Sequence, residues 1–355
     1  MDAVKSPGIL ARHPELRWLA SVVVVATAIV AVTSYVSGAF RDGTTLAVTG
    51  PEQLVSEVRA PHLGGYSGTI LAKVDLGLPG SLLAALEREL PYGGGLLNKS
   101  HTIRYWYANA QQQRVAILDQ NNEQDVFRDG TSMVLWDTES RTYERHVVAA
   151  EQAGLPLSAG PAAVLTPPQL AEEILSMPND VRSTTLRSGD EVVPGRPTYE
   201  LDVVPESSRS LIGSVQIEID GRQAVPLRVQ VFARGETEPA IDVAFTSIAF
   251  GPPQARNFSF TPPPGAAPRA ATLLPTDGVR EIGSNWLQLV SYQTSTPVAD
   301  LVARTFGPSM HAVKGKWGSG RVYSSGVVSV LVTKHARVLA GAVKPSVLYA
   351  AARKR

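Results

Sequence analysis

The spacing of apolar and polar residues divides this chain into regions of different character. From Trp18 to Phe40, twenty-three residues run without a charge. As a helix rising 1.5 Å per residue, that run crosses a bilayer core of about 30 Å. Lys5, Arg12 and Arg17 precede it and Arg41 follows closely, a basic bias that predicts the N-terminus in the cytoplasm and the bulk of the chain outside. The small residues Ser37-Gly38-Ala39 leave a cleaved signal peptide as the alternative. The run is longer than the roughly 7–15 residues of a signal core.

Beyond the run the period alternates between helical and extended. Gly50–Val58 and Thr166–Leu175 predict short helices. Each has Pro at the start, where a missing N–H costs nothing, and Leu170, Ile174 and Leu175 share one apolar face. Val215, Ile217 and Ile219, then Leu227, Val229 and Val231, then Ile241, Val243 and Phe245 each alternate with polar residues. That period of two predicts an antiparallel meander with one apolar face and one wet face. Earlier strands are expected over 68–75, 100–108, 114–119, 124–128, 133–137 and 142–147, with Asp129-Gly130 as a tight turn. Leu76–Leu97 interrupts them as an apolar helical insertion. Thr261–Arg269, TPPPGAAPR, reads as a stiff linker. After it come strands near 284–292, 321–325 and 327–332, a helix over 299–306 and a closing helix over 345–353.

The expected organisation is a cytoplasmic N-terminus (1–17), a transmembrane anchor (18–40), a β domain (41–265), a linker (266–279) and a C-terminal domain (280–355). Charge sharpens that division. From residue 300 onward ten Lys/Arg stand against one acid, Asp300, whereas the whole chain carries only +1. An acidic body therefore ends in a basic domain. The chain has no Cys, which excludes lipidation at cysteine, disulfides and thiolate metal sites.

Catalytic signatures are sparse. The six histidines fall singly, without metal-ligand spacing. Gly318-Ser319-Gly320 lacks the spacing of a nucleophile elbow. Gly93–Ser100 mimics a phosphate loop, but Asn98 replaces the wrapping glycine. The pairs Glu172-Glu173 and Glu236/Glu238 read as solvated. No enzyme activity, metal or cofactor is called for. In Ile103-Arg104-Tyr105-Trp106-Tyr107, Ile103, Tyr105 and Tyr107 share one face, either as core or as the lining for an acyl chain. Lys314, Lys316, Arg321, Lys334, Arg337 and Lys344 form either a solvated face or a contact for anionic headgroups or a partner. The outward topology argues against nucleic acid.

Three runs carry a resemblance: YSGTILAKVDLG, HTIRYWYANAQQQRVAILDQNNEQDVFRDGTSMVLWD, and VPLRVQVFARGETEPAIDVAFTSIAFGPP with its closing FSFTPPPGA. Over roughly residues 50–265 the chain resembles actinobacterial members of the LolA-like lipoprotein-carrier superfamily. RVYSSGVVSVLVT and RVLAGAVKPSVLYAAA resemble, more weakly, the small C-terminal domain of RseB, an envelope-stress regulator.

The resemblance implies a mainly β (α+β) protein: a curved, half-open antiparallel β-barrel with helices on its concave side, then a small α+β domain. It implies a lipid- or lipoprotein-binding protein at the plasma membrane, single-pass, with its bulk extracytoplasmic. The expected cavity lining is Ile103, Tyr105, Tyr107, Val215, Ile217, Val229, Val231, Ile241, Val243 and Phe245, gated by Leu82, Leu83 and Leu86. An alternative expectation is a sensor that regulates an anti-sigma factor through its basic domain. A soluble carrier must shuttle, whereas this chain is expected to be tethered.

Overall fold

The computed structural model describes residues 50–59, 64–89, 98–119, 122–147, 166–177, 181–270, 279–293 and 296–353. The expected span at 18–40 lies outside them. Among the described residues no helix is long and apolar enough to cross a membrane.

Twelve strands form one large, curved, unclosed sheet. They are β1 (Tyr66–Asp75), β2 (Asn98–Asn109), β3 (Gln112–Leu118), β4 (Glu123–Asp129), β5 (Ser132–Asp137), β6 (Thr142–Val147), β7 (Val181–Ser188), β8 (Thr198–Pro205), β9 (Ile212–Asp220), β10 (Pro226–Ala233), β11 (Pro239–Phe250) and β12 (Ala267–Pro268). Their order is β12-β6-β5-β4-β3-β2-β1-β11-β10-β9-β8-β7. Two meanders, β2–β6 and β7–β11, are thus joined by β1, which pairs antiparallel with β2 on one side and β11 on the other.

Register sets the apolar face. Leu186, Leu201, Ile217, Val229, Val243 and Ala72 stand in one row across six strands. Val203, Val215, Val231, Ile241 and Val74 form the row beside it. Where β1 crosses between the meanders the aromatic rings meet: Tyr66 stacks on Tyr107 at 5.1 Å and meets Phe245 edge-on at 6.1 Å. Gly68 makes this crossing possible. A Cβ there would lie 2.4 Å from the Ser247 carbonyl oxygen and 2.9 Å from the Phe245 ring.

Helices α1 (Pro51–Arg59) and α3 (Pro167–Leu175) cover part of this face, α3 against β10 and β11, and α1 against α3 and β7. Helix α2 (Gly80–Glu89) follows β1. Helix α3 opens as its sequence predicts, with Pro at its start and the Thr166 N–H donating to Gln169 Oε1 at 3.1 Å. It buries Leu170, Ala171, Ile174 and Leu175.

The second sheet has the order β13-β14-β18-β17-β16-β15, all antiparallel. Its strands are β13 (Val279–Ile282), β14 (Leu289–Gln293), β15 (His311–Gly315), β16 (Gly318–Ser324), β17 (Ser329–Thr333) and β18 (Arg337–Gly341). One face carries Leu289, Leu331, Leu339 and Val322 in a core shared with Leu348 and Ala351 of α5 (Pro345–Ala352). The other carries Val290, Val330, Val332 and Val338. It joins the core of the large sheet, together with Ala299, Ala303 and Phe306 of α4 (Thr296–Phe306). The chain is therefore mainly β, with a large curved sheet and a small α+β unit.

The proline-rich stretch, expected as a stiff linker, runs against the large sheet. Phe260 packs against Phe127, Trp136 and Tyr143 on the outer face of β4–β6, at centroid distances of 5.3, 5.6 and 5.5 Å. Ala267 and Pro268 then pair parallel with β6. Proline tolerates this place because an edge strand needs no second donor. The expected strand over 284–292 also begins later. Residues 285–287 form a 3₁₀ turn before β14, with Asn285 at φ 51°.

Candidate functional site

Where the two sheets meet, they leave a cavity of about 80 Å³. The large sheet and its helices supply Leu76, Leu170, Glu173, Ile174, Met177, Ile212, Val215, Val231 and Ile241. The second sheet's unit supplies Asn285, Trp286, Gln288, Val327, Val328 and Ala342. The walls are predominantly hydrocarbon and come from both units, so the site exists only while the two are docked.

Backbone and side-chain bonds on two sides hold that docking. On one side the Leu211 N–H donates to the Ala342 carbonyl at 2.9 Å, and the Lys344 N–H to the Arg209 carbonyl at 2.8 Å, around an antiparallel Ser210–Val343 bridge. On the other, Ser81 Oγ donates to the Thr305 carbonyl at 2.6 Å and the Tyr323 hydroxyl to the Gly77 carbonyl.

Two polar atoms in the wall find no such partner. Glu173 follows Leu170 by three residues and precedes Met177 by four, so it shares the inward face of α3. The residue is half-buried, but its Oε1 is fully buried and makes no hydrogen bond. Burial, with Glu172 beside it, pushes its carboxyl up to about 9. Trp286 is 7% exposed and its indole Nε1 is likewise buried without a partner. Buried polar groups in native proteins are almost always satisfied, so each exception asks for an explanation.

No protein-family model matches the chain, and no curated relative matches it. Structural neighbours include MucB and LolA superfamily proteins. A chain of the Pseudomonas aeruginosa MucA/MucB complex aligns at 13% identity and a TM-score of 0.43, covering 85% of this chain and 95% of its own length. A LolA superfamily protein from Nitrosomonas europaea aligns at 9% identity and a TM-score of 0.26, covering 60% and 99%. An uncharacterized conserved protein from Thermus thermophilus aligns at 10% identity and a TM-score of 0.34, covering 62% and 98%.

Of the ten residues expected to line a cavity, Val215, Val231 and Ile241 do. Ile217, Val229, Val243 and Phe245 lie on the same face of β9–β11 but are packed in the core, and so are Ile103, Tyr105 and Tyr107. The tyrosines have their own partners: the Tyr105 hydroxyl donates to Gln113 Oε1 at 2.9 Å, and its ring meets those of Tyr66 and Tyr107. Leu82 and Leu83 of α2 are buried in the same core. The side chain of Leu86 lies outside the described residues.

The six expected basic contacts separate. Lys314, Lys316, Arg321 and Lys334 are exposed. Register puts Lys314 opposite Ser319, whose carbonyl accepts from the Lys334 N–H at 2.8 Å, so these lysines share one corner of the second sheet. Arg337 is half-buried and donates to Ser291 Oγ at 2.7 Å. Lys344 is exposed at the start of α5, beside the junction.

The expectation that Glu172-Glu173 form a solvated pair is corrected for Glu173. Extending the helical period of Leu170 and Ile174 by one step would have placed it inward. Trp286 gave no such signal, because its position depends on a turn that the sequence pattern read as strand.

Proposed function

We propose that this protein is a membrane-anchored, extracytoplasmic binding protein without catalytic activity, which takes an acyl chain of a lipid or lipoprotein between its two sheets. The observation that carries this reading is the cavity itself: unfilled space walled by Leu170, Ile174, Val215, Val231, Ile241, Val327 and Val328. Walls so rich in hydrocarbon favour an apolar occupant. Each methylene moved into such a cavity from water gains about 0.8 kcal/mol. The volume, about 80 Å³, is smaller than the ~150 Å³ engineered cavity that admits benzene. The closed form therefore accepts the end of one chain, and a longer chain enters as the sheets part along their junction. The charge-free run 18–40 and its basic flank support the anchor and the outward orientation.

The test is extraction of the detergent-purified full chain, with mass spectrometry of whatever it releases. Wild type should yield near-stoichiometric acyl lipid, and Ala342→Leu, which fills the cavity, at least fivefold less with an unchanged circular dichroism spectrum. Equal recovery from both proteins would remove the cavity from the account.

The exposed cations at the corner of the second sheet favour a second reading, in which that corner docks an acidic partner such as an anti-sigma factor. Reversing Lys314, Lys316 and Arg321 to Glu should then abolish partner capture while bound lipid is retained. Unchanged capture would count against this role.

A further inference from the structure

The cavity wall holds one unsatisfied donor and one unsatisfied carboxyl oxygen, contributed by different units. Trp286 Nε1–H comes from the 3₁₀ turn that precedes β14, and Glu173 Oε1 from α3. Some other buried polar groups are bonded within the protein, and those with an unbonded atom, such as His146 Nδ1 and Asp202 Oδ1, do not line the cavity. Gln113 accepts from Tyr105 at 2.9 Å, and Glu218 accepts from Thr198 at 2.8 Å. An orphaned buried polar atom costs about 1–3 kcal/mol. A ligand that satisfied both atoms would recover that cost on binding, and pure hydrocarbon would not. Glu173 stays protonated up to about 9, so at neutral pH the wall presents no charge for a charged head to pair with.

Resting on the reading above, we propose that the cavity selects a hydrocarbon chain ending in an uncharged group with one hydrogen-bond acceptor and one donor, an acyl amide being the simplest case. The amide carbonyl accepts from Trp286 Nε1–H, and the amide N–H donates to Glu173 Oε1. The wall then discriminates by head chemistry, whereas its apolar residues respond only to chain length. An anionic head would have to be desolvated beside Glu173 with nothing positive among the cavity-lining residues to meet it.

The experiment is calorimetric titration of the full chain, delipidated in detergent, with three probes that carry an eight-carbon chain: N-methyloctanamide, 1-chlorooctane and octanoate. Wild type should bind the amide about tenfold or more tighter than either of the others at pH 7. Trp286→Phe keeps the ring and removes the donor, and Glu173→Leu removes the acceptor. Each should weaken the amide about fivefold or more and leave chlorooctane within twofold. Trp286→Phe and Glu173→Leu are checked for folding by circular dichroism, and the wild-type ranking of the probes decides the matter even if both variants fail to fold. Equal binding of amide and chlorooctane by wild type would overturn the selectivity and leave the acyl-binding site standing. No binding of any probe would overturn the site and the selectivity with it.

Discussion

The concave face of the large sheet has two halves built on the same alternation and put to different use. Across β8–β11 the inward rows are hydrocarbon from edge to edge: Leu201, Ile217, Val229 and Val243 in one, Val203, Val215, Val231 and Ile241 in the next. Across β3–β6 the corresponding rows turn polar. Val115, Val126 and Leu135 lead to Glu144, and Gln113, Arg128 and Met133 lead to His146. All of these polar residues are buried. They are also tied together: Glu144 lies 3.2 Å from His146 Nε2, Arg269 Nε reaches Glu144 at 2.9 Å, and Gln113 Nε2 donates to the Ala110 carbonyl at 2.8 Å. The half with polar residues in its strands bonds them largely to one another, although single atoms such as His146 Nδ1 stay unbonded. The half without them receives one polar group from a helix and another from the second sheet, and leaves both unbonded. What sets Glu173 and Trp286 apart is that both of their unbonded atoms belong to residues lining one cavity.

The largest effect expected from breaking this contrast lies in the hydrocarbon half. Phe245→Ala removes a ring that is 1% exposed at the crossing of the two meanders. It should cost about 3–5 kcal/mol in guanidinium unfolding. A loss under 1 kcal/mol would mean that the face is not a consolidated core.

In the polar half, Glu144→Ala strands His146 and Arg269. A cost of about 2–3 kcal/mol is expected, less than for a fully buried pair because Arg269 is 42% exposed. Lowering the midpoint by the same amount with Arg269→Ala alone would show that the ion pair, and not the buried histidine, sets the cost.

The subtlest difference appears with pH. Glu173 has its folded pKa raised from 4.5 to about 9. Between those values unfolding releases its proton, so the stability it contributes falls as pH rises from about 4.5 to about 9. Glu173→Gln should flatten the stability profile in that window. Asp125 and Glu218, raised to about 6 and about 7 by burial, leave a residual slope below about pH 7. An unchanged profile above pH 7 would mean that the carboxyl is solvated.

The strands that sequence made legible are those with one face wet. Val215–Ile219, Leu227–Val231 and Ile241–Phe245 alternate cleanly because their outer residues are mostly polar, and the structure extends them to β9, β10 and β11. Edge strands β7 and β15 escaped, since VRSTTLRS and HAVKG bury little and so need no apolar rhythm. β18, RVLAG, lies between two neighbours and is covered on both faces, which erases the alternation. The pairing of β1 with β11 joins residues more than 160 apart, which no local pattern encodes. The site was harder still to read, because a cavity is defined by what fails to fill it. Of its residues, those on regular alternation were anticipated, and those on the 3₁₀ turn and the 327–328 loop were not.

The strap formed by β12 has a mechanical consequence. Arg269 N–H is bonded to the Tyr143 carbonyl, and Val279 already pairs with Tyr292 in the second sheet. The ten residue steps between these two points, fully extended, span at most about 35 Å. If the second sheet swings away from the cavity, it stays leashed within that radius of the β6 edge. Reclosure is then a first-order event, because both surfaces belong to one chain. Such a reclosure would proceed at a rate that does not depend on how much of the protein is present.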